Sequence, residues 1–406
     1  MKMTVTRSEN LMPVHSDIRG PLYLESLRMG KEGIKVLRLN TGNPATFGFT
    51  MPDSVREALL SNADKAVAYC DLRGMPAARE AIVNYHKNKG IQDINIDDIY
   101  IGNGVSELVL MCLLCLCNKG DEILMPSPSY SLWSNSTYIA GGKPVYYTCD
   151  ESNFWYPDID DIRRKITPKT RALVIINPNN PTGAVYPKDI FIDMIQIARE
   201  NHLIIFSDEI YDRLLMDGVE HISTASLAPD LTVITTNGLS KSHIICGFRC
   251  GWMCISGYRG KADDYVEGIF QMAAMRLCSN ALTQLVIPAA LEDDASTQAM
   301  MVPGGRIYEQ REATFREIAK IDGLTCVKNH AAFYAFPKVD VKKFNITSDK
   351  QFAFDLLHEK HIFMVPGSGF DMPTPDHFRI VMLPEPHEME QAMRDLGDFL
   401  SHYRQK

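Results

Sequence analysis

The sequence predicts an α/β protein with a large, mostly parallel, doubly wound domain and a smaller α+β domain. Three observations predict it. Short apolar runs rich in β-branched residues, Ala172–Ile176, Leu203–Phe206 and Leu231–Thr235, are separated by helical stretches, the pattern of parallel strands buried on both faces. Each run ends in a polar cassette: Asn177–Gly183, Ser207–Tyr211 and Asn237–Lys241. The cassettes recur about every thirty residues, the length of one βαβ unit. Open α/β sheets bind ligands outside the carboxyl ends of their strands, so the three cassettes are expected to share one crevice.

The elements follow in order. The first forty-odd residues read as an arm and a short strand, Lys35–Leu39, entering a turn at 42–44. Helices are expected over Pro52–Ser61 and Pro76–Lys89, the second opening on a first-turn proline and stopping at Gly90. Strand-like Asp98–Ile101 passes through Gly102-Asn-Gly104 into the apolar helix Val105–Leu116. From about 100 to 257 strand and helix alternate, with Lys188–Asn201 as the crossover between the first two cassettes. A long helix over Gly260–Cys278 continues through Ala281–Leu291. Beyond about 300 the pattern turns α+β, with strands at 326–328, Ala332–Phe336, Ile362–Val365 and Phe378–Met382, and helices at 349–360 and 387–403. The expected division is 1–45 as arm and start of the small domain, 46–290 as the large domain, and 291–406 as the small domain.

The cassettes hold what pyridoxal 5'-phosphate chemistry asks of a protein. Lys241 can hold the cofactor through its amine, which partial burial would keep nucleophilic. Asp208, at a strand end, can sit against the pyridine nitrogen and keep it protonated. Asn180 and Tyr211 can donate to the ring's phenolic oxygen, and the planar fork of Arg249 suits a phosphate dianion. Gly102-Asn-Gly104 ahead of a helix lets the backbone approach an anion at the helix N-terminus. Each residue alone has an ordinary reading: a strand-end Asp caps a helix, a loop Lys is solvated, and Pro and Gly punctuate turns. Their order and spacing decide between the readings.

Asn180-Pro-Thr-Gly183, Ser207-Asp-Glu-Ile-Tyr211 and Ser240-Lys241 with Arg249 resemble the fold-type I pyridoxal-phosphate aminotransferases, across essentially the whole chain. Asp17–Pro21, Leu39–Pro44, Gly102–Glu107 and Ile176–Tyr186 look most similar to bacterial glutamate–pyruvate (alanine) aminotransferases. The resemblance implies that Lys241 is the Schiff-base lysine and proton shuttle, Asp208 the partner of the ring nitrogen, and Asn180 and Tyr211 the partners of the phenolic oxygen. It implies that Arg249 binds the phosphate with the region Gly104, Val105 and Ser106, with a hydroxyl such as Ser240 in support. Tyr130 would stack on the cofactor, and Tyr69 would reach the phosphate in the partner subunit of a homodimer with shared active sites. Arg379 would clamp the substrate α-carboxylate, with Gly42 approaching it through its backbone and Arg19 reaching the substrate's distal end. The chain departs from the pattern at Gly238, where many relatives carry serine, at Ser242–Cys246, and at Ser16 in the arm. His243 reads as a second acid/base or as a packing histidine. Arg379, flanked by apolar residues, needs an anionic partner, which without the resemblance reads equally as a neighbouring carboxylate in a structural ion pair or as a substrate carboxylate.

Composition narrows the rest. Lys and Arg number 42 against 50 Asp and Glu, a formal charge of −8, with no basic cluster to suit nucleic acid. No apolar run reaches the roughly 18 residues of a membrane span, and the N-terminus lacks an apolar leader, so the cytoplasm is expected. The ten cysteines match no common zinc spacing and read as reduced, so no metal is expected. A C–S lyase or other α,β-eliminating enzyme on the same fold, and a cofactor-sensing regulator domain, are the alternatives to an aminotransferase acting on an amino acid and a 2-oxo acid.

Overall fold

The computed structural model describes residues 5–406; Met1–Thr4, part of the stretch read for a leader, lie outside them. The central sheet has eight strands: β1 (Ile99–Asn103), β2 (Glu122–Ser127), β3 (Lys143–Asp150), β4 (Tyr156–Pro157), β5 (Thr170–Ile176), β6 (Ile204–Asp208), β7 (Val233–Gly238) and β8 (Cys250–Ser256). Their spatial order is β1-β8-β7-β6-β5-β2-β3-β4. From β7 to β3 every neighbour is parallel, whereas β8 runs antiparallel to both β7 and β1. Residues 239–249, which link β7 to β8, are too few for a crossover helix, so the chain must turn back on itself.

Alternation along the strands explains the two flanking layers. Ala172, Val174 and Ile176 join the core beneath the helices Val105–Leu116 and Asp263–Met275. Leu173 and Ile175 join the opposite core, with residues of Pro76–Asn88 and Lys188–Glu200. Both faces are therefore dry, as the unbroken apolar runs require.

Register matters most for function. Ile176 pairs with Asp208 and Asp208 with Thr236, so the first and third cassettes start one residue past the level of Asp208. Gly238 pairs with Gly251, and Gly102 does too. Because β8 is reversed, Arg249 at its beginning lies at the same sheet edge as the glycine turn that follows β1.

The later residues form small sheets, with Tyr334–Ala335 and Val365–Pro366 flanking Phe378–Val381 and Leu37–Arg38 beside Ile362–Phe363. Helices Asp349–Lys360 and Pro386–His402 pack there as expected. Several details differ from expectation. The strand expected at 326–328 lies instead at Leu324–Thr325. The arm contains a helix, Pro21–Lys31, whose Leu22 and Met29 enter this core. Arg306–Ile318 is a helix that sequence reading passed over, because its apolar face is interrupted by Gln310 and Arg311, both buried. The expected run to Leu291 is broken into Asp263–Met275, Ala281–Gln284 and Ile287–Glu292, with Leu277 in the left-handed region at φ 71° and Asn280 capping the next turn.

Candidate active site

Residues 40–42 form the floor of the crevice, and two cationic side chains converge on them. Lys241 Nζ donates to the Gly42 carbonyl at 2.9 Å. Arg379 Nη2 donates to the Asn40 carbonyl, and Arg379 Nη1 to Asn180 Oδ1 at 3.0 Å. Arg379 is 2% exposed, its Nε lacks a partner, and no carboxylate meets it among the described residues. It is sandwiched instead between Tyr334 and Phe370, at 4.5 and 4.6 Å from their ring centres. The ion-pair reading of this residue is therefore overturned. Burial pushes the guanidinium below its ordinary value, and an incoming anion would reverse that.

Gly42 has a steric reason to be glycine. A Cβ there would lie 2.5 Å from the Tyr334 hydroxyl and 2.8 Å from the Phe333 ring. That hydroxyl in turn hydrogen-bonds the Tyr211 hydroxyl at 2.8 Å.

Asp208 ends β6 and is buried. Its Oδ2 accepts from Trp133 Nε1 at 3.1 Å and its Oδ1 from the Ile210 amide at 3.3 Å. Among the described residues no cation neutralises it, and burial raises its pKa to about 6, against the pull of those two donors. Such a carboxylate suits a protonated ring nitrogen.

The anion end of the crevice lies at the glycine turn. A Cβ on Gly104 would fall 2.3 Å from Arg249 Nη2, and Gly104 has φ 84°. Arg249, itself in the left-handed region at φ 56°, donates to Ser106 Oγ at 3.1 Å and to the Cys246 carbonyl at 3.1 Å. Helix Val105–Leu116 begins here without a side-chain cap, leaving its first amides free. A guanidinium, a hydroxyl and free amides around a glycine-lined hollow suit a phosphate. The donor set thus fits pyridoxal phosphate at all three points: amine, carboxylate and phosphate cradle.

Other expected residues are distributed unevenly. Tyr130 is partly exposed and close enough to Arg379 to act on its charge. Tyr69 is 80% exposed. Arg19 is exposed and makes no hydrogen bond among the described residues, although the preceding Ile18 carbonyl accepts from Asn40 Nδ2 at 2.9 Å. Ser240 likewise makes no side-chain hydrogen bond among the described residues, while Ser106 meets Arg249. His243 is buried between Ser242 Oγ at 2.9 Å and Arg213 Nη1 at 3.4 Å, and burial lowers its pKa to about 4, which favours the packing reading. Gly238 is explained by crowding, since a Cβ there would meet the Cys250 carbonyl at 2.6 Å.

Sequence reasoning missed Trp133, Tyr334 and Asn40. Trp133 lies three residues past Tyr130, and Tyr334 lies within an apolar strand, where both read as core. Asn40 acts through its backbone, which leaves no mark in a sequence.

The sequence pattern described as "Aminotransferase class I and II" matches residues 34–396. The chain is 50% identical over 399 residues to the glutamate-pyruvate aminotransferase AlaA of Haemophilus influenzae, covering 98% of this chain and 99% of that one. Its fold matches the crystal structure of an aminotransferase from Escherichia coli with a TM-score of 0.98 at 48% identity, covering all of both chains. The alanine aminotransferase from Pyrococcus furiosus matches with a TM-score of 0.90 at 37% identity, covering 98% of this chain and 100% of that one.

Proposed function

Because this chain belongs to the class I and II aminotransferases, we propose that it moves an amino group between glutamate or alanine and a 2-oxo acid such as pyruvate. It is a pyridoxal-phosphate enzyme of the transaminase class. One observation carries the substrate reading: Lys241 Nζ and Arg379 Nη2 report to carbonyls only two residues apart, Gly42 and Asn40. An α-amino acid carries its nitrogen and carboxylate on one carbon, so it needs this pairing of amine chemistry and guanidinium.

In this reading Arg379 takes the α-carboxylate as a forked pair of charge-assisted hydrogen bonds. Asn180, already on Arg379, and Tyr211 would hold the ring's phenolic oxygen. Asp208 would hold the proton on the ring nitrogen, and Arg249, Ser106 and the amides of Val105 and Ser106 would hold the phosphate. Bound pyridoxal phosphate supplies the electron sink that stabilises negative charge on the substrate Cα. Lys241 Nζ takes the Cα proton, a general base held beside Gly42.

The shared-site homodimer is part of the same proposal. Tyr69, Val67, Met275 and Leu277 are exposed large side chains, on two segments tied together where Arg276 donates to the Leu72 carbonyl and Gln284 to Cys70, which suits a second copy. Ten free thiols favour a reducing compartment, the cytoplasm. Among the described residues no helix is long and apolar enough to cross a membrane. The proposed domain limits remain 46–290 and 291–406 after an arm at 1–45.

Protein loaded with the cofactor, mixed with glutamate or alanine, should lose the visible band of the bound cofactor and release 2-oxoglutarate or pyruvate in equal amount. An unchanged spectrum with every amino acid would overturn the reading. Pyruvate with ammonia, formed without an acceptor, would point to elimination.

A further inference from the structure

Behind the crevice, on the far side of the strand ends from Lys241, lies a buried cluster of ionisable groups that the proposed chemistry does not use. We propose that Lys89 and Asp212 are positioning residues, which hold the three cassettes in register from behind. The proposal rests on the reading of Lys241 and Asp208 as cofactor residues.

Asp212 Oδ2 is the hub. It accepts from Lys89 Nζ at 2.5 Å, from the Tyr85 hydroxyl at 2.5 Å and from Asn237 Nδ2 at 2.7 Å. Asn237 Oδ1 accepts from the Gly238 amide at 2.7 Å, which fixes the turn leading to Lys241. Lys89 Nζ also meets His221 Nδ1 at 3.4 Å, and His221 Nε2 donates to the Asn177 carbonyl at 3.2 Å. One cation is therefore linked to the first cassette through His221, to the second through Asp212, and to the third through Asn237. Every link lands within a few residues of a proposed cofactor contact: Asn177 before Asn180, Asp212 after Tyr211, Asn237 before Lys241.

Glu209, Asp212 and His221 place ligand-type atoms within 4.8 Å of one another. The ammonium of Lys89 already supplies the positive charge such a group calls for. Lys89 follows the helix Pro76–Asn88, whose carboxyl end favours a cation. The other charged or titratable groups facing the cluster are Arg213, which donates to Tyr85 Oη at 3.4 Å, and His86, which accepts from Trp252 Nε1 at 3.0 Å.

Mere stability does not explain this construction. Buried ion pairs are replaceable by apolar side chains at little cost, so their retention favours a role in geometry. A misplaced strand end would shift Asp208 against Lys241, and catalytic groups tolerate only about half an ångström of such error.

The test uses full-length protein loaded with cofactor, as the parent, Lys89→Met, Lys89→Arg and Asn237→Ala. Two readouts are the pH midpoint of the cofactor's visible band and the rate of cofactor loss on dialysis. Lys89→Met and Asn237→Ala should each move the midpoint by about half a unit or more and speed cofactor loss by about tenfold. Lys89→Arg should restore part of both. A folded variant with parental midpoint and release rate, even at a lower melting temperature, would reduce the cluster to a structural role and overturn the proposal. Should Lys89→Met not fold, Asn237→Ala, which keeps the ion pair, decides alone. A parent whose band does not respond to pH, or a band that persists in Lys241→Ala, would overturn the site reading and this proposal together. A responsive parent with silent variants would overturn this proposal only.

Discussion

Two groups of charged side chains stand back to back at the carboxyl ends of the same strands, and they differ in how their charges are met. In front, Lys241, Arg249, Arg379 and Asp208 have only neutral partners among the described residues. Behind, Lys89 and Asp212 face each other directly; burial pulls the Lys89 pKa down, yet Asp212, Tyr85 and Glu209 together hold it above its ordinary value. The rear carboxylate of Asp212 sits at about 2, while the front carboxylate of Asp208 sits at about 6, although both are buried. Between Asp208 and Asp212 burial is shared and compensation is not; Glu209 behind them, bonded to neutral Ser207 and Ser223, is itself raised to about 7. A front charge left unmet is one that a ligand can meet, and its cost to the empty protein is recovered when the ligand arrives.

The comparison can be broken at its strongest point first. Lys241→Ala should lower turnover by about 10⁴-fold or more while leaving the melting temperature of the cofactor-free protein nearly unchanged. A large loss of stability would show that the front lysine is structural after all. Asp212→Ala, by contrast, should destabilise the fold itself by about 3–5 kcal/mol, since it strands the Lys89 ammonium in the interior. Denaturant unfolding of the cofactor-free protein would measure it.

Asp208→Asn tests the front by sign. The folded-state pKa of about 6 lies above the ordinary 3.8, so the folded protein holds the proton more tightly than the unfolded chain. The resulting penalty is absent below about 3.8, grows as pH rises, and is complete above about 6. Asp208→Asn should therefore stabilise cofactor-free protein by about 2–3 kcal/mol at pH 7 and by less at pH 5, while activity falls. Loss of stability at pH 7 would contradict the uncompensated charge.

The smallest effect concerns the arm. His15 meets Asp17 at 3.7 Å and Asp371 at 3.2 Å, and hydrogen bonding to these two carboxylates raises its pKa to about 9. Its stabilisation is full below about 6.5 and lost as pH rises through about 9. His15→Ala should cost about 1 kcal/mol or less at pH 6, with the difference from the parent vanishing near pH 10 in thermal melts.

The front was far more legible in the sequence than the rear. Asn180, Asp208, Lys241 and Arg249 follow apolar runs at fixed spacing, and strand ends are where such folds place ligands. The rear cluster draws on Tyr85 and Lys89 from a helix, Asp212 from a turn and His221 from a loop, and no periodicity links those positions. Tyr69 and Arg19 were named from resemblance alone, and both side chains are exposed. The reversal of β8 also left no mark, since Cys250–Ser256 reads like any buried strand. Only the shortness of residues 239–249 hints at it.

That reversal has a consequence for the order in which the protein comes into being. β1 is synthesised early, yet its hydrogen-bonded neighbour is β8, with Ile99 beside Cys254 and Asn103 beside Cys250. Until the ribosome has passed Ser256, the turn at Gly104 has no Arg249 to close it. Until it has passed Arg379, residues 40–42 lack half of what converges on them. A nascent chain therefore has no half-built pocket in which to trap the cofactor, and capture waits for a nearly finished polypeptide.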